Sequence, residues 1–257
     1  MKATAAARLL VLNREFYERF GADFSSTRRR LQPGVTRILG TLRGGESILD
    51  LGCGNGELAR TLSRRGHRGP YLGLDFSLSL LSEADFSSGA FPVHFLQADL
   101  ASKEWSEGVR GQRFSLITCF ATLHHIPGQR ARLNICKTVR DLLTGDGRFV
   151  LSNWQFLNSP RLRARVQPWE RIGLAAEDVD AGDYLLDWRR GGEGLRYVHQ
   201  FNEEELMQLA AESGFEVVES FYSDGEGGRL GLYQVWRIVN RTRTLKDRLQ
   251  ASAENAD

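Results

Sequence analysis

The sequence has little lysine. Of its 34 lysines and arginines, only Lys2, Lys103, Lys137 and Lys246 are lysine. That bias fits a GC-rich genome better than selection for RNA contacts. An excess of one charge is missing too. The 32 acidic residues leave a formal net charge of +2, so there is no global basic field of the kind that announces a nucleic-acid binder. Cysteine is scarce: Cys53, Cys119 and Cys136 are odd in number and scattered. They suggest neither a disulfide framework nor a zinc site, and no metal is expected. No apolar run approaches the roughly 20 residues of a membrane span, and no signal-peptide pattern is seen. The expectation is a soluble, cytoplasmic protein. Its 257 residues, 41% of them hydrophobic, suit one large α/β domain or a domain with an inserted cap.

What is present is clearest at residues 47–60, Ser-Ile-Leu-Asp-Leu-Gly-Cys-Gly-Asn-Gly-Glu-Leu-Ala-Arg. A short apolar run ends at a turn containing Gly52, Gly54 and Gly56, and a helical pattern follows. This is the strand–turn–helix opening of a nucleotide-type α/β domain. A dinucleotide fingerprint would place its third glycine at position 57, where Glu57 stands. Asp50, at the strand's end, suits a cationic group better than a pyrophosphate, because like charges repel at close range. The expected ligand therefore carries a ribose and a positive charge but no phosphate. S-adenosylmethionine, with its ammonium and sulfonium, meets that description.

Strand and helix patterns alternate through the first 154 residues. Strands are expected at 48–51, 71–75, 93–97, 114–120 and 148–153, with helices at 56–65, 77–84 and 129–143 between them. Ahead of them come helices at 3–20 and 35–42, the second opened by Pro33. Asp75 lies 23 residues after Gly52, near the offset at which an acidic side chain meets ribose hydroxyls; capping of the following helix is its other possible role. Residues 155–200 break the alternation, Arg-rich first and acidic afterwards. A long insertion after a strand's C-terminal end lies over the ligand crevice. Its aromatic and Arg side chains suit either an anionic or nucleic-acid substrate or a small satellite core. A helix at 202–213 and an antiparallel hairpin at 215–221 and 230–239 follow. The expectation is one domain over 1–240, with an N-terminal helical cap at 1–42, an inserted substrate cap at 155–200 and a tail at 241–257. Its core is a Rossmann-like, seven-stranded, mostly parallel sheet with a C-terminal antiparallel hairpin.

The string Ile-Leu-Asp-Leu-Gly-Cys-Gly-Asn-Gly resembles the first motif of class I methyltransferases. The resemblance implies S-adenosylmethionine as cofactor and S-adenosylhomocysteine as product. It places Tyr17, Arg28, Asp50, Gly52, Cys53, Gly54, Asp75, Phe76, Asp99, Leu100, Cys119 and Phe120 around the cofactor, with Asp99 at the adenine amino group. Ser115 stands where family members commonly carry Asp.

A narrower resemblance rests on four segments in order: Tyr17 with Phe24-Ser-Ser-Thr-Arg28, Leu-His124-His125-Ile, Gly182-Asp-Tyr-Leu-Leu-Asp-Trp188, and Arg196-Tyr-Val-His199-Gln-Phe201. Together they look like the tRNA wobble-uridine carboxymethyl methyltransferases, which methyl-esterify 5-carboxymethyluridine at the anticodon. Tyr197-Val198 and Asp187 depart from that family's usual residues and fall in the presumed substrate cap. The resemblance implies tRNA as substrate and leaves room for a small activator protein; a small-molecule metabolite is the alternative acceptor. A carboxylate with a pKa near ~4 is already ionised at pH 7, so its esterification needs positioning rather than a base. Arg28, His124, Arg196 and His199 are the expected substrate-positioning residues, with Trp154, Tyr184 or Trp188 as stacking surfaces.

Overall fold

The computed structural model describes residues 1–26, 30–84 and 91–239. The expected tail at 241–257 lies outside them, as does Arg28. In chain order the elements are α1 (Ala3–Ser26), α2 (Pro33–Leu39), β1 (Ile48–Leu51), α3 (Glu57–Arg64), β2 (Tyr71–Asp75), α4 (Leu78–Ser82), β3 (Val93–Gln97), β4 (Phe114–Phe120), α5 (Gln129–Leu142), β5 (Leu143–Trp154), α6 (Pro160–Arg163), β6 (Val166–Gln167), β7 (Asp183–Trp188), β8 (Gly194–His199), α7 (Glu203–Glu212), β9 (Phe215–Ser223) and β10 (Gly231–Ile238).

Seven strands form the main sheet in the order β3-β2-β1-β4-β5-β10-β9. Parallel pairing joins β3 to β2, β2 to β1, β1 to β4 and β4 to β5. β10 enters antiparallel between β5 and β9. This is the Rossmann-like sheet with a closing hairpin that the sequence implied. The strand order reverses at β1, between β2 and β4. A crevice opens there, outside the carboxyl ends of the strands.

Both faces of β1 are covered, which is why its four residues are all buried. α5 and α7 bury Ile135, Cys136, Val139, Leu206 and Leu209 on one face. α2 and α3 bury Val35, Ile38, Leu58, Ala59 and Leu62 on the other. β5 starts five residues before its expected onset. Leu143 pairs with Phe114, then the register jumps to Arg148 opposite Leu116, so residues 144–147 bulge out as a turn within the strand.

Residues 155–200 are more regular than their composition suggests. β6, β7 and β8 form a separate antiparallel sheet. Phe156, Leu186 and Val198 make its small core, with Trp154 and Tyr184 packed on it. α1 lies against β8, and its inward stripe is Ala5, Leu9, Asn13, Phe16, Tyr17 and Phe20. The spacing of three and four residues puts these on one helix face. Asn13 is the one carboxamide on the stripe. Its Nδ2 donates to the carbonyls of Tyr197 and His125, and its Oδ1 accepts from the Tyr197 N–H at 2.8 Å. A buried edge of β8 is thereby satisfied by a side chain of α1.

Candidate active site

A cavity of about 380 Å³ opens at the carboxyl ends of β1 to β5. Its first half is built by the turns after β1, β2 and β3. Gly52, Gly54 and Gly56 all have positive φ (76°, 55° and 76°), the region glycine enters without steric cost. At Gly52 a Cβ would also come within 2.1 Å of Thr122 Oγ1. The Gly54 N–H donates to Asp75 Oδ2 at 2.9 Å, and the Ser77 N–H to Asp75 Oδ1 at 2.9 Å. Asp75 thus holds the glycine turn in place, and each carboxylate oxygen keeps a lone pair for a ligand. Capping of α4 falls to Ser77, whose Oγ accepts from the Leu80 N–H. Asp75 does not do it.

Asp50 accepts from the Tyr71 hydroxyl at 2.6 Å and from Thr118 Oγ1 at 2.7 Å. Burial pushes its carboxyl up to about 6; the two hydrogen bonds oppose this, and the nearby Asp75 charge adds to it. Asp99 accepts from the Ala101 N–H and pairs with Arg14 Nη2 at 2.5 Å. Cys53, Phe76, Leu100 and Phe120 complete the wall. Cys119 is fully buried behind it, its thiol pushed up to about 12 by burial.

This half fits S-adenosylmethionine by its chemistry. Three carboxylates (Asp50, Asp75, Asp99) face one small volume beside the glycine-rich turn. They favour a ligand with cationic groups and hydroxyls, and the Gly54 Cβ direction meets nothing within 4 Å. Asp50, Gly52, Cys53, Gly54, Asp75, Phe76, Asp99, Leu100 and Phe120 are the residues placed to hold it.

The second half is lined by Tyr17, His125, Asn153, Trp154, Asp224 and Tyr233. Tyr17 Oη lies 2.8 Å from His125 Nε2. The other ring nitrogen, Nδ1, is 3.2 Å from the Tyr197 carbonyl oxygen. That oxygen can only accept, so Nδ1 carries a hydrogen, and Nε2 of the neutral ring accepts the Tyr17 hydroxyl proton. Tyr17 therefore stands with His125 on the cavity wall, its ring also edge-on to Phe76 of the cofactor half at 5.9 Å. Ala121, between the halves, has φ 50°. A non-glycine residue in that region marks a backbone held by its surroundings; here its N–H donates to both the carbonyl and the hydroxyl of Ser152.

The other expected substrate residues sit elsewhere. His124 is buried, and its Nδ1 accepts the Trp154 N–H at 3.3 Å; its neighbour His125 is the histidine on the wall. Arg196 is 6% exposed and does not line the cavity. Its guanidinium lies over Trp154 (4.9 Å), Phe16 (5.4 Å) and Trp188 (5.6 Å). His199 is remote from the cavity. Its two nitrogens meet Asp183 at 2.7 Å and Glu205 at 2.8 Å. Burial pushes its pKa down, but these hydrogen bonds outweigh it and the net shift is upward. Trp188 and Tyr184 belong to small cores under the cap.

Sequence reasoning missed Arg14, Asn13 and the Asp224 corner. Asp224, with φ 70°, accepts the Gly34 N–H at 2.9 Å and the Tyr233 hydroxyl at 2.6 Å, tying the β9–β10 hairpin to the start of α2. A polar residue on an apolar stripe was the available signal for Asn13.

Residues 24–220 match the methyltransferase-domain family. A candidate methyltransferase of Encephalitozoon cuniculi is 30% identical over 206 residues, covering 79% of this chain and 87% of that protein. A ubiquinone biosynthesis O-methyltransferase of Alkalilimnicola ehrlichii is 31% identical over 102 residues, 40% of each chain. Among solved structures, an S-adenosylmethionine-dependent methyltransferase from Methanosarcina mazei aligns with a TM-score of 0.61 at 20% identity, covering 82% of this chain and 99% of the other. One from Clostridium acetobutylicum aligns with a TM-score of 0.58 at 16% identity, covering 80% and 89%. The chain belongs to the methyltransferase-domain family. It is an S-adenosylmethionine-dependent enzyme of class I architecture. Among the described residues, no group of three or more His, Cys, Asp or Glu side chains is placed to hold a metal, and no helix is long and apolar enough to cross a membrane.

Proposed function

We propose that the enzyme methylates a carboxylate oxygen, and that its acceptor is the carboxymethyl group of 5-carboxymethyluridine at the tRNA wobble position. One observation carries this reading: the segments of the narrower resemblance, scattered over some 180 residues, converge on one end of the cavity. Tyr17 comes from α1, His125 from the turn after β4, and Trp188 and Arg196 from β7 and β8; the last two pack on Phe16 behind the wall. The cavity is thereby polarised. Its cofactor half is acidic, and its acceptor half is backed by the buried Arg196 cation.

S-adenosylmethionine supplies an electrophilic methyl group. The chain's part is to exclude water and present the acceptor. An anion needs no proton removed, so orientation is the main requirement. Trp154, on the cavity wall, offers a flat surface on which a pyrimidine can stack. Arg14 and Arg30 at the cavity suit phosphate contacts.

The test is methyl transfer from labelled S-adenosylmethionine into a cell extract split into tRNA, protein and small-molecule fractions. Label in tRNA that mild alkali releases as methanol supports the reading. Label in the small-molecule fraction alone removes tRNA and leaves the cofactor site standing.

A further inference from the structure

Among the described residues, the side-chain amides that the fold buries are Asn13, Asn153, Gln155 and Gln234. Three of them are bonded at both ends. Asn13 is tied to Tyr197 and His125. Gln155 donates to the Phe201 carbonyl at 2.9 Å and accepts from Gln200 Nε2 at 2.6 Å. Gln234 donates to Ser220 Oγ at 3.4 Å and accepts from Trp236 Nε1 at 2.8 Å. Asn153 is the exception. Among the described residues, neither its Oδ1 nor its Nδ2 has a hydrogen-bond partner. The surroundings on its side of the sheet are apolar. Leu151 lies two residues back on the same face of β5, and Leu232 is directly across on β10; both are fully buried. An unpaired amide in such a place costs stability, and an aliphatic side chain would fill it without that cost. Asn153 is also at the carboxyl end of β5, one residue before Trp154, and both line the cavity. That end of a parallel sheet is where ligands are held.

We infer that Asn153 is a specificity-determining residue for the acceptor, and that its carboxamide pairs with the imide edge of a pyrimidine. This rests on the nucleobase reading above. A carboxamide is planar and sets a donor beside an acceptor. The uracil ring carries the complement, its N3–H beside the C4 carbonyl. Nδ2 donates to that carbonyl oxygen and Oδ1 accepts from the ring N–H. Two parallel bonds fix the rotation of the ring in its plane, and so fix where its carboxymethyl arm points. A phenol or an aromatic acid carries no such edge and leaves the buried amide unpaired, which is how a polar site rejects an analogue. The torsion into the carboxamide is broad, and no hydrogen bond to the described residues holds it. The group therefore turns to meet the ring at little cost.

The experiment uses the full chain with S-adenosylhomocysteine bound and two probes, 5-carboxymethyluracil and phenylacetate. They share the carboxymethyl arm and differ in the edge. The readout is the side-chain amide NMR signal of Asn153, assigned as the pair that Asn153→Leu removes. It moves with 5-carboxymethyluracil and stays in place with phenylacetate. A signal that ignores both probes, or answers both alike, would overturn the inference. A second measurement tests for a structural role. Asn153→Leu keeps or raises the melting temperature, because it removes an unpaired buried amide, and lowers kcat/KM for the tRNA fraction by ~10- to 100-fold, as two lost hydrogen bonds would. A melting temperature lowered by several degrees would mean that the amide serves the fold, and would also overturn the inference. If the signal moves as expected but tRNA takes no label, the tRNA reading fails and the pairing by Asn153 stands. If tRNA takes label and Asn153→Leu is as fast as the native chain, the tRNA reading stands and the role of Asn153 falls.

Discussion

At the level of single residues, the cofactor half works because a few side chains each do two jobs. Asp75 holds the Gly54 turn and presents lone pairs to the cavity. Asp75→Ala should weaken S-adenosylmethionine binding by more than ~10-fold, since one charge-assisted bond is worth that much; titration calorimetry checks it. Asp50 gives a pH signature. Its carboxyl sits at about 6, chiefly through burial. A cationic ligand favours the ionised form, so binding expels a proton near that pH. Affinity therefore falls as pH drops below about 6 and is level above it. Calorimetry from pH 5 to 8 should show this slope in the native chain and its loss in Asp50→Asn. The positions of Asp50, Asp75 and Asp99 were legible because each closes an apolar strand run. The partners of Asp50 were not, since Tyr71 and Thr118 are 21 and 68 residues away and no local rule links them.

Between elements, the decisive contact is α1 on β8. It brings Tyr17 to His125 and buries Arg196. Asn13→Ala leaves the Tyr197 N–H buried without its partner, at a cost of roughly 1–3 kcal/mol. Urea unfolding should show that loss, and turnover should fall with it because the Tyr17 side chain loses its anchor. The cap has a second tie in His199, which bridges Asp183 of β7 and Glu205 of α7. Burial opposes its charge, but the two carboxylates raise its folded pKa above the unfolded value. Its stabilisation is fully present below the unfolded pKa of about 6.5 and is lost as pH rises through the folded value. The urea midpoint should fall across that window in the native chain and stay flatter in His199→Gln. The sequence marked His199 as a functional histidine; two acidic partners from different elements make it an anchor of the cap. The same tertiary pairing separates His124 from His125. Adjacent residues in a tight turn point differently, and only the backbone of residues 122–126 decides which one meets the cavity.

For the whole molecule, binding and folding are linked. The cavity draws on five strand ends together with α1, α2 and the β9–β10 hairpin, so a ligand there favours the native state as a unit. S-adenosylmethionine at 100 times its dissociation constant should raise the melting temperature by roughly 5–10 °C for a chain of this size. Asp75→Ala, with affinity ~10-fold weaker, should remove about half of that rise at the same concentration. Scanning fluorimetry separates the two cases.

The sequence by itself determined the sheet and the cofactor's chemistry. Apolar runs of strand length, helical periodicity between them, three glycines in a turn and an acidic residue at successive strand ends are local features, and local features survive in a one-dimensional string. The tertiary structure alone decided the wall opposite the cofactor's carboxylates. Arg196 looked like a contact residue and became a buried cation behind the cavity wall, because α1 and three aromatic rings close over it. Residues 155–200 looked irregular and formed a sheet, because their short strands pair with each other and bury a core that none of them could bury alone. Burial and pairing between distant segments set which charges face the cavity, and sequence spacing does not encode them.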